Sequence, residues 1–246
     1  MGSTAEAATA VLGRGVNLLD RVSYRLAESE EDKDTIYKLR YRAYLNEGAI
    51  EPNREGTVTD RFDDLPNSWI FGVYFENILT SSIRITVASP ENPTSPSVEV
   101  FPDLLGPKLA EGQVIIDPTR FVGDPDRQKR FPELPYLTLR LAYVATSYFD
   151  ADIGLATVRA EHQAFYRRFF MHRVWAAPRQ FPGLIKPVCL MAVDDPVVRD
   201  KVYARYPYLT SSADERRMLF RRSNERQMTP SDIVLPRERP SIVPQS

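Results

Sequence analysis

Apolar and polar positions along this chain follow two rhythms. Residues 22–27 alternate one for one, as a half-buried strand does. From Ser29 the period lengthens to that of a helix and runs to Gly48, with Asp32 in the capping-box position behind Ser29. Residues 68–75 and 79–87 are apolar strand runs joined at Glu76–Asn77, which predicts a hairpin. Val114, Ile115 and Ile116 read as a buried strand. Residues 134–149 carry Leu137, Leu141, Val144, Ala145 and Tyr148 at helical spacing and predict a core helix. Strands are predicted at 153–158, 172–176 and 188–193, and helices at 161–170 and 195–206, with Ser212 and Glu215 placed to cap a last one. Residues 51–66 and 89–97 read as loops, and 101–109 as a short element. Strands first, then strands alternating with helices, predict an α/β fold built on a mixed sheet of six or seven strands. Residues 1–20 read as a loose arm, 21–210 as one domain, and 211–246 as an extension, partly helical and then rich in proline and charge.

The charged positions that break these rhythms carry the candidate chemistry. Arg40 shares a helix face with Ile36 and Tyr44, whereas Arg42 lies with Lys38 and Asn46 and faces water. A guanidinium on an apolar face requires an anion, either an internal carboxylate or a bound one. Arg84 stands between Ile83 and Ile85, so it points to the opposite side of its strand. Asp60, Asp63 and Asp64 sit in the acidic loop, where solvated or capping roles are usual. Asp117 ends the 114–116 strand, and Arg120 with Phe121 follows across Pro118. A basic turn comes next, with Gly123, Pro125, Arg127, Lys129 and Arg130. A strand that delivers an acid and an arginine into a basic turn ahead of a helix predicts a transfer site.

Composition narrows the classes. A net charge of −1 gives no bulk electrostatic reason to bind nucleic acid or a membrane. No apolar run approaches the ~20 residues that span a bilayer, and the N-terminus lacks the pattern of a secretory signal. The single cysteine, Cys189, lies in an apolar strand run and fits a reducing compartment, so a cytoplasmic, bacterial enzyme is expected. His162 and His172 lack partners at metal-binding spacing, and no metal site is expected. Serine-nucleophile elbows and phosphate-binding glycine loops are missing from the chain. Acids and arginines at strand and helix ends remain, and they suit non-covalent acyl transfer. That reaction needs an acceptor for the amine proton, a donor for the oxyanion and a proton for the departing thiolate.

Arg40-x-x-x-Tyr44, Asp60-x-x-Asp63, Arg84, Phe101–Pro102 and Asp117-x-x-Arg120–Phe121 occur in one order that resembles the acyl-homoserine-lactone synthases. Ala164, Tyr166 and Phe170 after a strand resemble the signature of the GNAT acyltransferases. Together, over roughly residues 22–195, the chain is most similar to the FeeM-type long-chain N-acyl amino acid synthases. The resemblance implies a GNAT-like, mostly antiparallel sheet flanked by helices. It also implies transfer of a fatty acyl group from the phosphopantetheine thioester of acyl carrier protein to an amino acid, with no bound cofactor. On that pattern Asp117 takes the amine proton, directly or through water, and Tyr166 protonates the thiolate. Backbone N–H groups near Phe121 and Val122 hold the oxyanion. Arg40 and Arg84, with Tyr44 beside them, hold the acceptor's carboxylate, and Arg120 pairs Asp60 or Asp63 to order the acidic loop. The acyl tail lies along the helix that spans Leu137 to Tyr148. Ile50 stands where the lactone synthases usually have tryptophan, and Asp117 where they have glutamate. The Arg/Gln-x-x-Gly-x-Gly loop that wraps coenzyme A is missing, which suits a carrier protein met by Arg127, Lys129 and Arg130. The alternatives are a lactone synthase using S-adenosylmethionine and a non-catalytic fold that binds only acyl groups or carrier protein.

Overall fold

The hairpin turn forms as expected, with Glu76 and Asn77 both in the left-handed region at φ 49° and 65°. It joins β2 (Ser68–Phe75) to β3 (Ile78–Ala88), pairing Phe75 with Ile78. The computed structural model describes residues 19–222. Within them β1 (Val22–Leu26) pairs with β2, and β4 (Ile115–Gly123) pairs with β3. The second half of the sheet is β5 (Ile153–Val158), β6 (Arg173–Arg179) and β7 (Val188–Asp194). The seven strands lie in the order β1-β2-β3-β4-β5-β7-β6. Every pairing is antiparallel except β4 with β5, where only Ile115–Ile153 and Ile116–Gly154 are in register. Beyond those two pairs the strands part.

One face of the sheet carries α5 (Leu134–Tyr148), as its helical period predicts. Leu137, Leu141 and Val144 pack with Phe71, Ile83 and Ile116 in the larger core. The other face buries Ile115, Ile153, Leu155 and Leu190 under two short helices, α2 (Pro96–Val100) and α3 (Pro102–Ala110). Because a strand's side chains alternate between faces, Thr157 follows Ile153 and Leu155 onto the α2 side. Gly154, Ala156 and Val158 face α5. At the edge of β4, α1 (Glu30–Asn46) starts at Ser29, whose Oγ accepts from the Asp32 N–H, and ends just before Gly48 at φ 59°.

Two segments depart from the sequence reading. Residues 89–97 were expected to be a loop throughout, yet Ser95 caps α2, which begins at Pro96. The basic turn is a helix, α4 (Pro125–Arg130), followed along the chain by α6 (Gln163–Phe170) and α7 (Asp195–Arg205). The last helix forms where Ser212 and Glu215 were expected to cap it: in α8 (Ala213–Phe220) Ser212 accepts from the Glu215 N–H, and Leu219 and Phe220 are buried against the domain. Phe220 stacks among Trp69, Tyr148 and Phe149, and its carbonyl accepts the Trp69 indole N–H at 3.0 Å. Arg140 on α5 grips the same segment. It donates to the carbonyls of Tyr208 and Thr210 and to both oxygens of Glu215. The expected arm, apart from residues 19 and 20, and the proline-rich end lie outside the described residues. Cys189 is buried, as its apolar surroundings predict.

Candidate active site

Where β4 and β5 part, a cavity of about 430 Å³ opens. This is the size of a small-molecule site. Thr119, Phe121 and Val122 line it from β4, and Ala156, Thr157 and Val158 from β5. Beyond Ile116 the β5-facing edge of β4 pairs with no strand among the described residues, so its peptide groups are open to a ligand. A bulge shapes this edge. Register with β3 slips between Ser82–Val122 and Arg84–Thr119, and Arg120 takes φ 53°. A non-glycine residue there costs about 1 kcal/mol or more and persists only where surrounding contacts enforce it.

Those contacts come from the acidic loop. Asp60 accepts Arg120 Nε at 3.0 Å and Nη2 at 2.6 Å. It also accepts Arg84 Nη1 at 2.5 Å. Asp63 accepts Arg84 Nη1 at 2.9 Å and Arg40 Nη1 at 2.8 and 2.9 Å, together with the Thr59 hydroxyl and the Asp60 N–H. Three guanidiniums thus share two carboxylates inside the protein. Burial alone would raise both aspartates, but the arginines outweigh it and hold Asp60 down at about 2 and Asp63 below its ordinary value. Arg40 and Arg84, expected at the acceptor's carboxylate, are wholly buried in this network and lie off the cavity wall. The acid that each requires is internal. Arg120, Tyr44, Phe121 and Val122 do line the cavity. Arg42 is exposed.

Asp117 is wholly buried and is not part of the wall. Its carboxylate accepts the Ser97 N–H at 2.8 Å and the Ser97 hydroxyl at 2.7 Å. Ser97 Oγ is in turn 2.6 Å from Thr157 Oγ1. Because the Ser97 proton goes to Asp117, Thr157 donates to Ser97 and keeps its own lone pairs for other partners. Burial pushes the Asp117 carboxyl above the usual range, although Ser97 opposes the shift. Direct contact of Asp117 with a ligand in the cavity is therefore replaced by a chain of two hydroxyls. Ser97 lies in a segment read as loop, where no periodicity marks it. Tyr166 lines the cavity, and burial raises its phenol, which stays protonated through neutral pH.

Seven antiparallel-dominated strands, a single splayed parallel pair and a cavity in the splay describe an acyltransferase scaffold, and the comparisons agree. A family model described as "N-acyl amino acid synthase FeeM" matches residues 35–194. The chain belongs to this family. A solved structure of FeeM, an N-acyl amino acid synthase from uncultured soil microbes, superposes with a TM-score of 0.62 at 15% identity. It covers 75% of this chain and 96% of that one. TofI, in a ternary complex with an inhibitor and MTA, superposes at 0.56 with 16% identity over 77% of this chain and 100% of its own. BjaI, a coenzyme A-dependent acyl-homoserine lactone synthase, superposes at 0.53 with 12% identity over 76% and 89%. These likenesses establish the GNAT-like fold, shared with the lactone synthases. A search of curated proteins finds no match.

The FeeM-family chain is thus an N-acyltransferase. Its candidate site includes residues that the sequence did not single out. Leu139, Ala142, Tyr143 and Thr146 of α5 line the cavity, the first three packing with the larger core as well. At the mouth Gln128 of α4 lies over Gly123, whose missing Cβ would fall 2.1 Å from Gln128 Nε2. Asp124 caps α4 by accepting the N–H groups of Asp126 and Arg127. Lys129 and Arg130 are exposed and Arg127 is half-buried. Among the described residues no cluster of three potential metal ligands forms, and no helix is long and apolar enough to cross a membrane.

Proposed function

We propose that this N-acyltransferase joins a long-chain fatty acyl group, delivered as the phosphopantetheine thioester of acyl carrier protein, to the amine of an amino acid. The observation that carries the reading is the cavity. It begins at open backbone between β4 and β5 and continues beneath α5 along apolar side chains. The thioester carbonyl sits in the splay with its oxygen on the N–H groups near Phe121 and Val122. The tail runs along Leu139 and Ala142, and the amine approaches from the opposite face, where Thr157 and Asp117 lie.

The amine nitrogen attacks the carbonyl carbon, and the C–N bond forms as the C–S bond breaks. Thr157 accepts the amine proton as its own moves to Ser97 and that of Ser97 moves to Asp117. Tyr166 gives its proton to the departing thiolate. The relay then runs back from Asp117 through Ser97 to Thr157, and solvent entering the emptied cavity carries the proton to the phenolate. A carboxyl raised by burial makes a better terminal base than an ordinary one. For the acceptor's carboxylate, Lys186, exposed on the cavity wall, replaces Arg40 and Arg84.

The mouth favours a carrier protein. Asp124 places a carboxylate on the α4 N–H groups that a coenzyme A pyrophosphate would require. The exposed Lys129 and Arg130 beside it suit an acidic protein surface.

The test incubates purified protein with acyl carrier protein thioesters and a panel of amino acids, followed by mass spectrometry. An N-acyl amino acid is expected from wild type. Its rate should fall by about 10²–10⁴ in Asp117→Asn and should show in wild type an acid limb set above the ordinary carboxylate range. No acylated amine, or an acyl lactone formed with S-adenosylmethionine, overturns the proposal.

A further inference from the structure

The cavity has a neighbour. His172 and Val193, which line it, also line a groove bordered by β6, the end of β7 and the start of α7. Met171, Val174, Trp175 and Val197 border that groove and are 40%, 42%, 36% and 65% exposed. They are four of the eight large apolar side chains exposed among the described residues. Scattered singly such residues are ordinary, but half of them gathered at one place marks a contact surface. The groove also carries cations. Arg167 and Arg173 are exposed on it and pair with no carboxylate among the described residues. Asp194 is exposed there too, at the N-cap of α7, where the positive end of the helix offsets its charge.

The surface itself limits what can cover it. β6 is an edge strand, but its register with β7 slips twice and Pro178 removes an N–H, so a further strand does not add there. A twofold contact centred on the groove would set arginines against arginines. Acyl carrier protein docked here would present its thioester at the wrong end of the cavity. Val193 pairs with Gly154, three residues before Thr157 on β5, which is roughly 10 Å from the splay. An anionic bilayer fits each feature: tryptophan favours the level of the headgroups, aliphatic side chains enter below it, and arginines meet the lipid phosphates.

We infer that this groove docks the enzyme on an anionic lipid bilayer, with Met171, Val174, Trp175 and Val197 in the interface and Arg167 and Arg173 against the phosphates. The tail end of the cavity then lies beside the membrane, with His172 and Val193 between them. An N-acyl amino acid is an amphiphile whose chain belongs in a bilayer, so the product is released next to its destination. That last step rests on the reaction proposed above; the docking does not.

The experiment sediments the full chain, without substrate, with vesicles of phosphatidylcholine alone or with about one part in three of phosphatidylglycerol. Binding is expected to the mixed vesicles only, and it should be lost at about 0.5 M salt. Arg167→Gln with Arg173→Gln should weaken it by about 25-fold, since each arginine beside an anionic surface is worth about five-fold. The chain has two tryptophans and Trp69 is buried, so brominated lipid should quench Trp175, and Trp175→Phe should leave the remaining emission unquenched. Circular dichroism confirms the fold of each variant. No binding, equal binding to both vesicles, or binding that survives the arginine changes overturns the inference. A concentration-dependent dimer abolished by Trp175→Ala makes a second copy the occupant and overturns it as well. None of these outcomes bears on acyl transfer, which fails separately if no thioester is consumed with any amine.

Discussion

Replacing Asp63 by asparagine tests whether the buried arginines are structural. In wild type the Asp63 carboxylate collects hydrogen bonds from Arg40, Arg84, Thr59 and the Asp60 N–H. Asparagine keeps one acceptor but turns an NH₂ towards the donors, leaving Asp60 to face three guanidiniums. Arg40 and Arg84 are wholly buried and water cannot screen them. Removing one partner of such a pair costs about 3–5 kcal/mol. With a urea dependence near 3 kcal/mol per M, the midpoint should fall by about 1–1.7 M at pH 7. Asp64→Asn is the control. Its side chain is 75% exposed and reaches only Lys33, so a change within about 0.5 kcal/mol is expected. The pH dependence has a definite sign. A carboxyl held below its ordinary value contributes stability present above that value and lost as pH falls through the depressed one. The gap between wild type and Asp63→Asn should therefore be full at neutral pH and close only as pH falls past the ordinary carboxylate value and through the depressed one of wild-type Asp63. A loss below about 1 kcal/mol at pH 7, or a gap that widens in acid, refutes the reasoning.

Two other changes probe the tail and the mouth. Arg140→Met removes the grip on Glu215, Tyr208 and Thr210. It should cost about 3 kcal/mol and shift tryptophan emission to the red as Phe220 leaves Trp69; an unchanged spectrum and midpoint would count against the tether. Gly123→Ala drives a methyl into Gln128 and should raise KM for the thioester more than it lowers kcat. Equal loss in kcat with KM unchanged would place the effect elsewhere.

The sequence made the strands and their hairpin legible because period-2 patterning and the Glu76–Asn77 turn are local signals. It marked Arg40 and Arg84 as needing anions for the right reason, since a guanidinium does not sit on an apolar face alone. It did not show which anion. Asp63 lies 23 residues from Arg40, and a solvated loop acid looks the same in one dimension as a buried one. Asp117 shows the converse. Its position at a strand end suggested contact with substrate, but α2, in a segment with no periodicity, covers it and puts Ser97 between. Tyr143 went unnoticed because the same helix residues serve core and cavity. The Phe220 anchor was equally hidden, since an eight-residue helix carries too few turns to display a face.

The narrow junction between β4 and β5 also bears on how the enzyme comes to life. Residues 22–123 build their four strands from near neighbours in the chain, and residues 153–194 do the same for the other three. Each half can gather its own contacts with short loop closures, whereas within the sheet only two residue pairs join them. The cavity belongs to neither half. Docking of the halves is then the step that creates the site, and catalytic competence should appear after most of the secondary structure is in place.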